Sequence, residues 1–322
     1  MSQFRYIRNS EINRLKWDRC ISVSINKRVY ALSWYLDVVS ENWGGLVYGD
    51  YQAVFPIVYK KIGFFKKCYP PFFCQQLGLF YQKEENDKGT LNLLANCLNY
   101  LNQKIKSYEF CSTSEFMGVF SNIKSDNLEI TMPTPLSINV TRKNLVLNLS
   151  LKYSEIAGSY STNTIRNLKR ANKASLFIKD YSNPQDVLYF FKKNIEKIAN
   201  LKSKDFLMLS DLMDSSMEKG IGKIIGVLNP DKMLIACAFI ISHLKRDILI
   251  YNTADKSYKE CHGMTYLIDF YIRNNAESDR VLDFEGSNLP GVYRFYHGFG
   301  AIENNYLLIK SKHPGLFRYT SF

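Results

Sequence analysis

Apolar positions in the first half of the chain switch between two periods. Around Ile12 to Cys20 and Leu32 to Val39 they recur three and four apart, the spacing of a helix with one buried face. Leu46-Val47-Tyr48 and Tyr51 to Tyr59 are rich in β-branched and aromatic residues and flank Gly49-Asp50, which reads as a hairpin. Tyr69-Pro70-Pro71 is loop, Gln76 to Tyr81 fits a third strand, and Glu84 to Gly89 is polar loop. Leu91, Leu94, Ala95, Leu98, Leu101 and Ile105 then trace a helical stripe, and Tyr108 to Ser112 reads as the next strand.

The second half repeats that order. Lys223 to Leu228, Met233 to His243 and Ile248 to Thr253 predict three strands, joined by turns at Asn229-Pro230-Asp231 and Lys245-Arg246-Asp247. A polar loop, Ala254 to Glu260, leads to a helix from Gly263 to Ala276, a strand at Val281 to Phe284, a helix starting near Pro290 and a strand at Tyr306 to Ile309. The expected fold class is α+β: two tandem domains of similar plan, each a mostly antiparallel sheet flanked by helices. The break after Pro133-Thr134-Pro135 sets the expected domains at 1–143 and 144–322.

Composition narrows this picture. A chain of 322 residues, 46% hydrophobic, suits two packed domains. The formal net charge of +12 favours anionic partners without choosing among nucleic acid, nucleotide cofactors and an acidic membrane surface. Seven cysteines are scattered with no C-x-x-C pair, so reduced thiols, a cytoplasmic location and no metal site are expected. The N-terminus lacks the apolar core of a signal peptide. The longest apolar run, Met233 to Ile241, is about half the length of a membrane span. Contact with a membrane is therefore expected to be peripheral at most.

The second half has the element order of the GNAT acyltransferase core, and three short stretches sharpen the likeness. Asp283-Phe284-Glu285-Gly286-Ser287 follows the strand that would splay. Leu289 to Gly300, with Phe295-Tyr296 and Phe299-Gly300, resembles the "G-x-x-x-F-(K/Y)-x-x-F-G" segment of the FemABX-like branch. Ser161 to Lys173 resembles that branch's "S-x-x-T-x-R-x-x-x-(K/R)-A" helix, and Trp34 through Gln76-Leu77-Gly78 is also similar to its members. The sequence departs from the pattern twice. Tyr296 stands where bridge-forming relatives carry Lys, which weakens an aminoacyl-tRNA donor. Lys259-Glu260-Cys261-His262-Gly263-Met264 is a degraded version of the CoA-binding loop, which weakens a CoA donor.

The resemblance implies roles, and the residues can be read beside it. Arg166, Lys169, Arg170 and Lys173 share one helical face, a phosphate-binding arrangement or else a solvated surface, with Ile165, Leu168 and Ala171 turned inward. Thr164 and Arg166 match acceptor-contacting positions of the branch, and Phe295 belongs to the same substrate side. Tyr296 has the Y-x-x-x-G spacing of the GNAT tyrosine that protonates a departing thiolate, although an aromatic packing role fits as well. Glu285 or Asp283 could take a proton from an attacking amine, while one of them caps the helix that follows. His262 and His297 are general-base candidates by pKa alone. Cys261 beside His262 forms no nucleophile dyad, since helix neighbours point apart. Gly263 and Met264 open a helix whose free N–H groups could hold phosphate oxygens, with Thr253 on the adjoining strand. The expected activity is N-acyl transfer from acyl-CoA, acetyl or other, to a small-molecule or lipid-linked amine. Aminoacyl-tRNA acting on a cell-wall precursor, and a non-catalytic anion-binding protein with a decayed donor site, are the alternatives.

Overall fold

The computed structural model describes residues 4–82, 87–105, 107–117, 136–199, 201–286 and 288–311. The chain divides into two units, Met1–Arg142 together with Asn305–Phe322, and Lys143–Asn304.

Unit 1 begins with strand β1 (Phe4–Arg8) and helix α1 (Arg14–Val23). The Asn13 side chain caps α1 by accepting from the Lys16 N–H, and Trp17, Cys20 and Ile21 form its buried stripe. The Trp17 indole N–H donates to the Ala31 carbonyl over 2.8 Å. Helix α2 (Ser33–Val39) follows, then β2 (Trp43–Tyr48), β3 (Ala53–Ile62), β4 (Phe65–Cys68) and β5 (Phe80–Tyr81). A Cβ on Gly45 would lie 2.3 Å from the Trp17 ring, so only glycine lets β2 cross beneath it. Helix α3 (Asp87–Lys104) buries Leu91, Leu94, Leu98 and Leu101 of the stripe legible in the sequence, with Ala95 half-buried and Ile105 buried just past its end, and β6 (Glu109–Cys111) and β7 (Leu136–Arg142) come next. The sheet order is β1-β2-β3-β4, with β5 also on β3.

Three expectations for this unit are corrected. Only Phe80–Tyr81 of the Gln76 to Tyr81 segment pairs as strand. Asp87 to Gly89 belong to α3 rather than to a loop, and Glu84 to Asn86 lie outside the described residues. The strand Ala53–Ile62 starts later than Tyr51, because Tyr51 takes a left-handed φ of 62° inside the turn.

Unit 2 contains β8 (Leu145–Asn148), α4 (Tyr153–Gly158), α5 (Thr162–Lys173), β9 (Phe177–Tyr181), α6 (Gln185–Ala199) and α7 (Ser203–Glu218). Next come β10 (Gly222–Leu228), β11 (Leu234–His243) and β12 (Arg246–Ala254). A 3-10 turn over Lys256–Cys261, within the stretch read as loop, leads into α8 (Gly263–Asn275), β13 (Val281–Asp283), α9 (Pro290–His297) and β14 (Ile302–Glu303). The seven strands run β14-β8-β13-β12-β11-β10-β9, antiparallel except for the β12–β13 pair. β11 is the apolar run of the sequence: α8 packs on it and so does α6, so nearly every side chain is buried.

The last described strand, β15 (Tyr306–Ser311), pairs antiparallel with β6 and β7 in a three-stranded sheet of unit 1. The expected 144–322 domain therefore does not keep its final strand. The two units share a plan, a meander, a helix and then a strand (β6 or β13) closed by an antiparallel neighbour from elsewhere in the chain (β15 or β8).

Candidate active site

The site is built where β12 and β13 part. They pair in parallel from Arg246↔Val281 to Ile248↔Asp283, and there the pairing ends. β12 continues to Ala254 without β13 beside it, while the next residue of the other strand, Phe284, donates its N–H to Leu145 and turns toward β8. A β-bulge lies at the fork: Phe239 faces Tyr251 but Ile240 faces Leu249, which leaves Ile250 as the extra residue. Beyond Ile248, β12 therefore has no strand paired to it on the side that β13 leaves.

Tyr296, on α9, bridges the fork. Its ring stacks on Phe284 at 4.8 Å and 20°, and its hydroxyl accepts from Asn252 Nδ2 on β12 over 2.8 Å. Burial pushes the phenol up to about 12, assisted by the nearby Glu285 charge and offset in part by the Asn252 bond. The group therefore holds its proton at neutral pH.

Glu285 is half-buried and sits at φ 51°, a left-handed conformation that a non-glycine residue adopts only when its surroundings impose it. Two features impose it. Asp283 accepts from the Glu285 N–H over 2.9 Å and is locked to Arg246 over 2.6 Å, almost fully buried. The next residue, Gly286, lies so close to Asn144 that a Cβ would be 2.3 Å from its Cα. Asp283 is thus the residue that shapes the turn, and the Glu285 charge lies near enough to raise the Tyr296 phenol.

α8 starts after β12 and the 3-10 turn that follows it. Its cap residue His262 is left-handed at φ 51° and supplies no side-chain cap, so the first-turn N–H groups have no intrahelical partner. Gly263 rests on Ile235 and Ala236, where an added Cβ would come within 3.1 to 3.2 Å. His262 is held below its usual value by burial and then by the positive charges of Arg170 and Arg166. That electrostatic link joins the end of α8 to the cationic face of α5, which packs on α8.

On α5, Arg166, Lys169, Arg170 and Lys173 are all exposed and with Thr162 and Ile165 line an open groove of about 280 Å³. Ile165, expected to turn inward, is 40% exposed and lies among the cations; Ala171 and Thr164 form the buried side. Thr164 is occupied within the fold: its hydroxyl meets Ser161 Oγ at 2.9 Å, and it lies against Gly298. Phe295 packs edge-on to Phe299 at 5.4 Å, and His297 stacks on Tyr293 at the surface. Met264 packs against the core and Thr253 is buried on β12 opposite Cys237.

The structure thus places Tyr296 across the fork between Phe284 and Asn252, and packs α5, which carries Arg166 and Arg170, on α8, which Gly263 opens. Asn252 is the residue that sequence reasoning missed. Its signal was a lone amide in an otherwise apolar strand, Ile248 to Tyr251 before it.

No protein-family model matches the chain, and no curated protein does. Among solved structures, the fold is similar to that of FemX, with TM-score 0.66 at 11% identity over 94% of this chain and 96% of that one. It is also similar to a conserved protein of unknown function from Bacteroides thetaiotaomicron, with TM-score 0.58 at 13% identity over 96% and 99%. L-PGS from Bacillus licheniformis aligns with TM-score 0.54 at 8% identity, over 94% and 92%. The chain has a tandem GNAT-like α+β fold. Within that class its fold is similar to that of FemX across nearly its whole length.

Proposed function

We propose that unit 2 catalyses N-acyl transfer, with the acyl donor entering the β12–β13 fork and the amine arriving beside Glu285. The observation that carries this reading is the coincidence at one place of the strand splay, the Ile250 bulge and the buried Tyr296 hydroxyl. An N–H of the bulged strand would polarise the donor carbonyl. The amine nitrogen attacks that carbon directly, Glu285 accepts the proton it loses, and the bond from carbon to the leaving group breaks. Tyr296 donates a hydrogen bond to the leaving atom. The first turn of α8 and the cations of α5 would hold the donor's phosphates.

Two donors fit this reading, acyl-CoA and aminoacyl-tRNA, and the raised phenol of Tyr296 bears on the choice between them. A phenol near 12 is a weaker acid than a thiol, whose usual value is about 8.5, so full proton transfer to a thiolate runs uphill. The alkoxide released from an aminoacyl ester is a stronger base and suits this phenol better. Acceptors in this reading are small or lipid-linked amines, and the working compartment is the cytoplasm.

A thermal-shift screen with acetyl-CoA, longer acyl-CoAs and aminoacyl-tRNA tests the proposal. A donor at 100 times its Kd should add about 2.7 kcal/mol of stability. The gain should shrink when Arg166 and Arg170 are both changed to Ala. If no donor stabilises the protein, the binding-only alternative gains and transfer is excluded for these donors.

A further inference from the structure

The hairpin formed by β3 and β4 carries the sequence Lys60-Lys61-Ile62-Gly63-Phe64-Phe65-Lys66-Lys67. Its register places Ile62 opposite Phe65 at the end, then Lys61 opposite Lys66, then Lys60 opposite Lys67. Gly63 takes φ 58°, which permits the two-residue turn, and Phe64 beside it is 104% exposed; Ile62 is 49% exposed. Like charges directly across a ladder oppose its stability, and this ribbon has two such pairs in succession. Among the described residues no carboxylate answers any of the four lysines. Lys60 rests over Tyr69 at 4.3 Å and Lys66 over Tyr59 at 4.3 Å, so their stems are held along the ribbon. The repulsion between the paired lysines and the exposure of Phe64 at the tip are left without a counterpart among the described residues of unit 1, which points to a partner outside the fold.

We propose that this hairpin docks the protein on an anionic lipid surface, with Phe64 and Ile62 entering the interface and the four lysines meeting headgroup phosphates. The order along the ribbon is what distinguishes lipid. Apolar residues lie outermost and cations follow one and two residues behind, at about 3.3 Å per residue, which matches an interface buried roughly 5–10 Å deep. The lysine pairs occupy opposite faces of the ribbon, so a surrounding layer of phosphates reaches both. A nucleic-acid strand would need open rings in series for its bases, whereas the Lys66 and Lys60 ammonium groups sit over Tyr59 and Tyr69. The inference stands apart from the transferase reading, and its test uses no activity.

The full chain should be sedimented with vesicles of phosphatidylcholine containing phosphatidylglycerol and with vesicles of phosphatidylcholine alone. Binding is expected for the anionic vesicles only, and it should weaken with added salt. Phe64→Ser should lower the partition coefficient roughly tenfold or more. Lys61→Gln with Lys67→Gln should do the same. Phe64 touches nothing that holds the fold, so the melting temperature of that variant should match the parent. In a Phe64→Trp protein, the emission added over the parent should shift to the blue on anionic vesicles. The proposal is overturned by absence of binding to anionic vesicles, by binding that survives Phe64→Ser, or by an unshifted Trp emission. An RNA bound through Phe64 in place of the vesicles would equally overturn it.

Discussion

Tyr296 is buried, and its hydroxyl has a partner, so its chemistry and its packing have to be separated. Tyr296→Phe keeps the ring on Phe284 and removes only the bond to Asn252, which is half-buried. Stability should fall by about 0.5–1.5 kcal/mol, the net worth of one such bond. Loss of a positioned proton donor typically costs 10²- to 10⁴-fold, so kcat should fall by about that factor once a donor is in hand. The raised phenol adds a pH criterion. With its value at about 12, Tyr296 should place no basic limb on the rate profile between pH 6 and 9. A parent profile that falls above pH 8 and flattens in Tyr296→Phe would contradict this assignment, as would an unchanged kcat. The sequence made Tyr296 and Glu285 visible through their spacing from Gly300 and from the predicted strand. It could not show that Asp283 serves Arg246, or that Thr164 is closed into its own helix cap, because those partners are set by register and burial.

At the scale of elements, the site depends on the chain bending away from β12 directly after Asp283. Gly286 makes that bend by lying against the backbone of Lys143 and Asn144. Gly286→Ala should destabilise unit 2 by about 1–3 kcal/mol, the usual range for forcing atoms into a filled site. Gly291, inside α9 with nothing within 4 Å of an added Cβ, is the matched control. Gly291→Ala should be neutral or stabilising by up to about 1 kcal/mol, since alanine is the better helix former. Urea unfolding of both variants checks the pair, and equal effects would refute the close approach as the cause. Elements with strong periodicity, such as α3, α5 and α8, were legible in the sequence. The short edge strands β1, β4 and β14 were not, because a strand of two to five residues leaves no period to read.

Over the whole chain, the duplicated order of elements was legible, whereas the destination of β15 was not. Tyr306–Ser311 reads as a strand in either unit, and only long-range pairing with β6 and β7 assigns it to unit 1. Among the described residues no helix is long and apolar enough to cross a membrane. The central claim is that one unit, and one fork within it, receives the acyl donor. Hydrogen exchange with and without the donor picked out by the thermal screen tests it most directly. Protection is predicted in β12 from Leu249 to Ala254 and in the first turn of α8 from Gly263 to Tyr266, with unit 1 unchanged. A donor that binds but protects neither segment, or protects only unit 1, would contradict the account.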